Sequence, residues 1–177
     1  MINIRHNMYE TNSSSVHTIA LLPENSDRKD LYRVAGTDWF PVYLENDTMI
    51  VQYCDDRYGR QSGCLHDPEE KIQYLVLAFL TQADKIYEEE CNAYIEDVMS
   101  GNVKDADFLQ FITELQSITI NYQNNTFKYL KVYFHNNTYY IDHQSIGVII
   151  EQLKNNGIDY SDFILNDHYC IVTYADG

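Results

Sequence analysis

A chain of 177 residues with 27 acidic and 12 basic side chains carries a formal charge of −15. It therefore repels nucleic acid except where its few cations gather, and it favours a basic partner or a solvated surface. No run of about 18 apolar residues is present and the first twenty residues lack the apolar core of a secretory leader, so the expectation is a cytoplasmic protein with no membrane partner.

The length suits a single domain, 1–177, with a real core. Cys54, Cys64, Cys91 and Cys170 form no C-x-x-C pair and no zinc-type spacing with histidine, which predicts free thiols, no metal and no cofactor. The N-x-[ST] triplets at Asn12, Asn46, Asn124 and Asn136 have no secretory context. Sixteen tyrosines give many amphipathic rings, suited to interfaces and cores alike.

In chain order, residues 2–8 and 16–22 read as short strands joined by ETNSSS, and 23–38 as a polar loop. Strands follow around Trp39–Leu44 and Met49–Cys54, with Glu45-Asn46-Asp47 as the hairpin turn. The loop DDRYGRQSG is locally basic through Arg57 and Arg60. At HDPEEKIQYLVLAFL the period changes: Asp67 suits the N-cap, Pro68 the first helical position, and Glu69-Glu70 the first turn. Ile72, Leu75, Val76, Phe79 and Leu80 share a face, and the pattern continues through Ile86, Ala93 and Ile95 to about Met99, as one long helix or two. Gly101-Asn102 ends it. A further helix from about Asp105 turns Phe108, Leu109, Ile112 and Leu115 inward. Strands return at ITINY, KYLKVYF and TYYI, Asp142 caps the helix HQSIGVIIEQLKNN closed by Gly157, and HYCIVTY is the last strand. This order predicts an α+β fold, a largely antiparallel sheet packed against one long helix (or two) plus shorter helices.

Three places could carry chemistry. The stretch Glu10 to His17 packs a carboxylate, an amide, hydroxyls and an imidazole between two strands. It reads as an Asx/Ser turn, or as a pocket in which Glu10, Asn12, Ser13, Ser14, Ser15 and His17 bind an anion such as phosphate, with Arg5 as the cation. In YYIDHQS, Asp142 and the helix N-terminus pull the His143 pKa in opposite directions, with Gln144 beside it, so His143 is either a general base or an exposed residue of a cap. Lys71, with Tyr74 at i+3, is a solvated charge or a stabiliser of a departing oxygen.

Two histidines from separate elements with a cation would support metal-independent RNA cleavage, one imidazole taking the 2′-OH proton and the other protonating the leaving 5′ oxygen. The carboxylate groups Asp55-Asp56 and Glu88 to Glu90 read better as a loop and a solvated helix face than as a two-metal centre. No G-x-S-x-G elbow for acyl transfer is present.

The pattern R-x-N-x-x-E-T-N-S-S-S-x-H (Arg5, Asn7, Glu10 to Ser15, His17), with E-K-x-x-Y-L (Glu70, Lys71, Tyr74, Leu75) and I-D-H-Q-S (Ile141 to Ser145), resembles a signature of small proteins of phages and mobile elements of Firmicutes. The three segments cover about a sixth of the chain and span it from end to end. The group is similar to inhibitors of type II CRISPR systems, some of which inactivate the effector by shortening its guide RNA. The resemblance implies a type II effector nuclease and its guide RNA as partners. It also implies ribonuclease chemistry on Glu10, His17, Lys71 and His143, with Arg5, Asn12, Ser13, Ser14, Ser15, Tyr74, Asp142 and Gln144 holding the substrate. The competing reading is an acidic DNA mimic or steric inhibitor that blocks the effector without catalysis.

Overall fold

The computed structural model describes residues 15–21, 42–53, 63–118, 127–135 and 146–175. Their elements in chain order are β1 (Ser15–Leu21), β2 (Val42–Glu45), β3 (Thr48–Tyr53), β4 (Gly63–Leu65), α1 (Pro68–Gln82), α2 (Glu88–Ser100), α3 (Ala106–Ser117), β5 (Tyr129–Phe134), α4 (Ile146–Asn156), α5 (Tyr160–Leu165) and β6 (Tyr169–Ala175). The class is α+β. The strands expected at 2–8, ITINY and TYYI, the loop at 23–38 and the capped start of α4 lie outside the described residues.

Three of the four strand pairings are antiparallel, but they fall into two sheets, β1-β6-β4 and β2-β3-β5. β3 and β5 run parallel, a geometry that needs a long crossover, and α1, α2 and α3 supply it. The β2–β3 hairpin turns on Asn46 and Asp47, both at positive φ (46° and 62°), the two-residue turn whose twist matches the strands. The Asp47 carbonyl then accepts from Lys128 N and Tyr129 N, which seats the start of β5 beside the turn.

α1 starts where the sequence places it, with Pro68 in the first turn and Asp67 in extended geometry before it. The expected single apolar face is too narrow a description, because every residue from Lys71 to Leu80 is buried. One reason is that the inner face of β2-β3-β5 covers one side, where the Tyr53 hydroxyl donates to the Gln73 carbonyl and the Gln73 amide to the Gln52 carbonyl. α4 and α5 cover others. The helix stops at Ala83, followed by Asp84 at φ 56°, so the long pattern is two helices.

On α2 the inward residues are Cys91, Ile95 and Val98, spaced i, i+4, i+7, while Ile86 and Ala93 lie at the surface, contrary to the expectation from pattern alone. Gly101 closes α2 in the left-handed region (φ 79°), and the Asp105 carboxylate caps α3 by accepting from Phe108 N at 3.0 Å. On α3 the stripe runs through Phe108, Phe111, Ile112 and Leu115; Leu109 points outward because one residue past Phe108 is a 100° rotation off the stripe. β4 and α5, which the sequence did not announce, lie immediately before α1 and β6.

An aromatic cluster ties α1, α3 and α5 together. Phe79 stacks on Phe108 at 4.9 Å between ring centroids and meets Phe111 at 5.3 Å, while Tyr160 stands edge-on to both phenylalanines, Phe79 and Phe111. At the outer side of β5, Asn92 of α2 accepts from Val132 N and donates to the Val132 carbonyl, and the Glu88 carboxylate accepts from Phe134 N. A helix thus satisfies a strand edge that would otherwise invite another strand.

Burial, together with the nearby charges of Asp107, Glu114 and Asp105, pushes the Tyr160 phenol up to about 12. A pKa raised on folding gives stability that is complete below the ordinary tyrosine value of about 10 and is lost as pH rises through the folded value. Urea unfolding measured from pH 9 to 12 is expected to show a loss attributable to this phenol of about 2–3 kcal/mol. Tyr160→Phe should remove that part of the slope; an unchanged slope would place the phenol in water.

Candidate functional site

β1 pairs with β6 so that His17 stands opposite Thr173, and both side chains are buried, at 3% exposure each. Polar groups persist at such depth only when bonded. His17 meets Tyr74 of α1: Nδ1 and the phenol oxygen are 2.6 Å apart, and the rings lie 5.6 Å centroid to centroid. When the phenol donates, the ring proton sits on Nε2; when Nδ1 donates, the phenol oxygen accepts. The contact joins residues 57 positions apart. Two of the three signature segments, the opening strand and the E-K-x-x-Y-L helix, therefore touch through their own named residues.

α4, the helix that follows the third segment, packs on both β1 and α1. Its Gln152 side chain accepts from Ile19 N at 3.0 Å, and its first turn comes so near α1 that a Cβ on Gly147 would lie 3.1 Å from the Gln82 amide nitrogen. Arg5, Glu10, Asn12, Ser13, Ser14, Asp142, His143 and Gln144 lie outside the described residues, and Ser15 is described as the first residue of β1. The structure thus brings His17 and Tyr74 together.

Lys71, one helical turn before Tyr74, is fully buried, which overturns the solvated-charge expectation. Its ammonium donates to the carbonyls of Phe163 and Asn166 at 3.0 Å each and reaches that of Ile164 at 3.5 Å, and it lies 5.3 Å from the Phe163 ring centroid. These carbonyls belong to the last turn of α5 and the residue after it, where backbone acceptors are left over and a positive charge is favoured. The geometry corrects the substrate-facing role expected of Lys71: its N–H groups clamp a helix end.

Two clusters went unremarked in the sequence. Cys64 on β4 and Cys170 on β6 are buried free thiols that bond each other. The Cys64 thiol is pushed up by that bond and by burial. Cys170 is lowered by the same bond and by the charge of Lys71. A strand-pairing register is needed to find such a pair, and spacing in the sequence gives no sign of it.

The second cluster is His66, Asp67 and Glu70, whose ligand atoms lie within 4.8 Å of one another. His66 is buried, with Nε2 3.6 Å from Asp67 and Nδ1 4.0 Å from Glu70, so its two nitrogens face different carboxylates. The imidazole thus lies against two acidic groups at the start of α1. The signal was present as H-D-x-x-E, with two carboxylates one turn apart at a helix start. Of the carboxylates weighed as metal ligands, Glu89 and Glu90 are exposed, Glu88 is bonded to Phe134 N, and Asp55-Asp56 lie outside the described residues.

No family model, curated protein or solved structure matches the chain. Among the described residues, no helix is long and apolar enough to cross a membrane.

Lys71→Met keeps the length of the side chain and strips the donor from three carbonyls at the end of α5. Removing one partner exposes the full desolvation cost of the other, so the variant is expected to lose about 2–4 kcal/mol in urea unfolding. Amide exchange should accelerate first in α5. A loss below about 1 kcal/mol would mean the carbonyls find other donors.

Proposed function

We propose that the protein inhibits a type II CRISPR effector by cutting its guide RNA without a metal, with His17 as an acid–base group and Tyr74 as the residue that positions it. The observation that supports this most is the His17–Tyr74 contact, because it joins named residues of two segments that the resemblance assigns to one site. In the step proposed, an imidazole takes the 2′-OH proton, the 2′ oxygen bonds to phosphorus, and the P–O5′ bond breaks. The products are a 2′,3′-cyclic phosphate and a 5′-OH that receives a proton from the second group, His143 by sequence. Lys71 is clamped on α5, so Arg5 becomes the cation of this reading, named from the sequence. The charge of −15 repels RNA over most of the surface, which suits an enzyme that docks on a basic effector and meets its RNA there.

The same charge supports a second reading, a stoichiometric acidic mimic that blocks the effector's nucleic-acid channel. End-labelled guide RNA incubated with the protein and the effector in EDTA separates the two. Cleavage should yield cyclic-phosphate ends, and His17→Ala, checked for folding by circular dichroism, should cut about a hundredfold more slowly or worse. Tyr74→Phe should retain cutting with a displaced pH profile. Intact RNA beside a blocked effector, undisturbed by His17→Ala, would establish the mimic instead.

A further inference from the structure

The face of β2-β3-β5 turned away from the core has an unusual composition for so acidic a chain. Along β5 the alternation is strict: Leu130, Val132 and Phe134 go inward, Tyr129, Lys131 and Tyr133 outward, and His135 continues the outer series past the strand end. Tyr129 is 60% exposed and Tyr133 48%, and Tyr43 on β2 is also at the surface. The register sets Tyr43, Ile50 and Lys131 in one row across the sheet, with Tyr129 opposite Thr48 and Tyr133 opposite Gln52. Tyr133 and His135 meet edge to face at 5.3 Å, and His135 Nε2 lies 3.1 Å from the Gln52 amide oxygen, so these rings are held in place.

The charges of this face are mixed, since exposed Glu45 shares a row with Thr48 and Tyr129. Lys128, beside Tyr129, is matched by Asp47 at 3.0 Å, whereas Lys131 makes no ion pair among the described residues. It stands between two exposed rings. Same-face residues on a strand are roughly 6.6 Å apart, so the two rings stand roughly 13 Å apart with Lys131 midway, a span of about two extended nucleotide steps rather than one. Alternating rings and a cation on a sheet surface match unpaired bases and the phosphates that link them. A basic protein surface would meet Lys131 with like charge, and a duplex has no free base faces to stack.

We propose that this face is a stacking platform for single-stranded RNA, with Tyr129 and Tyr133 each taking a base, one nucleotide spanning the gap, and Lys131 holding a phosphate of that spanning stretch. That the strand is RNA rests on the reading above; the platform rests on the sheet. The test is anisotropy of a labelled short oligouridine with the full-length protein at low salt. Tyr129→Ala and Tyr133→Ala should each weaken binding about tenfold, with the phenylalanine variants near wild type. Lys131→Ala should lower the salt dependence by about one phosphate contact.

All three sites are exposed, so these variants should fold. The idea is overturned if wild type does not bind the oligouridine, if a hairpin duplex competes equally, or if the alanine variants bind unchanged. A dimer in sedimentation that the Tyr129→Ala/Tyr133→Ala double variant breaks would assign the face to a second copy and overturn it too. Absent cutting in wild type sinks the nuclease alone, and absent binding sinks the platform alone.

Discussion

An ammonium group with no exposed surface must be given acceptors by the fold, and in this molecule one helix end supplies three of them. Lys71 reaches the carbonyls at the end of α5, 92 to 95 positions away in sequence. Burying a lone charge costs far more than a domain's net stability can spare, so α1 and α5 are obliged to meet in this geometry and in few others. The positions of neighbouring groups follow. One turn along α1, Tyr74 faces His17 on β1; near its other end, Phe79 enters the aromatic cluster shared with α3 and α5. The polar clamp sets the register and the rings fill the space around it.

The same clamp changes how the signature is understood. Lys71 and Tyr74 belong to one motif, yet they do different work: the lysine orders the helix, and the phenol at i+3 orients an imidazole from the opening strand. Residues of one motif need not share a substrate.

Much of the fold was legible because local rules were obeyed. Asp105 marks a helix start through its capping carboxylate, Gly101 and Gly157 mark helix ends in the left-handed geometry that the lack of a Cβ allows, and Asn46-Asp47 marks a hairpin. What escaped were features decided by tertiary packing. α1 is buried on all sides, so its periodicity undersold its position. β4 has three residues and α5 six, too short to leave a period. Leu109 and Ile86 are apolar residues left at the surface, where composition cannot tell them from core. At the site, nothing in the spacing of His17 and Tyr74 announced their contact, and the fate of Lys71 was hidden because its carbonyl acceptors on α5 lie 92 to 95 positions away.

Asn92 offers a last consequence. By returning both hydrogen bonds of Val132, it imitates one residue of a neighbouring strand, and Glu88 adds a second such contact at Phe134. A helix so placed acts as a chain terminator for the sheet. Growth of β2-β3-β5 by recruitment of a foreign strand is blocked on the β5 side, leaving its tyrosine-bearing surface free to be sticky without the protein becoming self-templating.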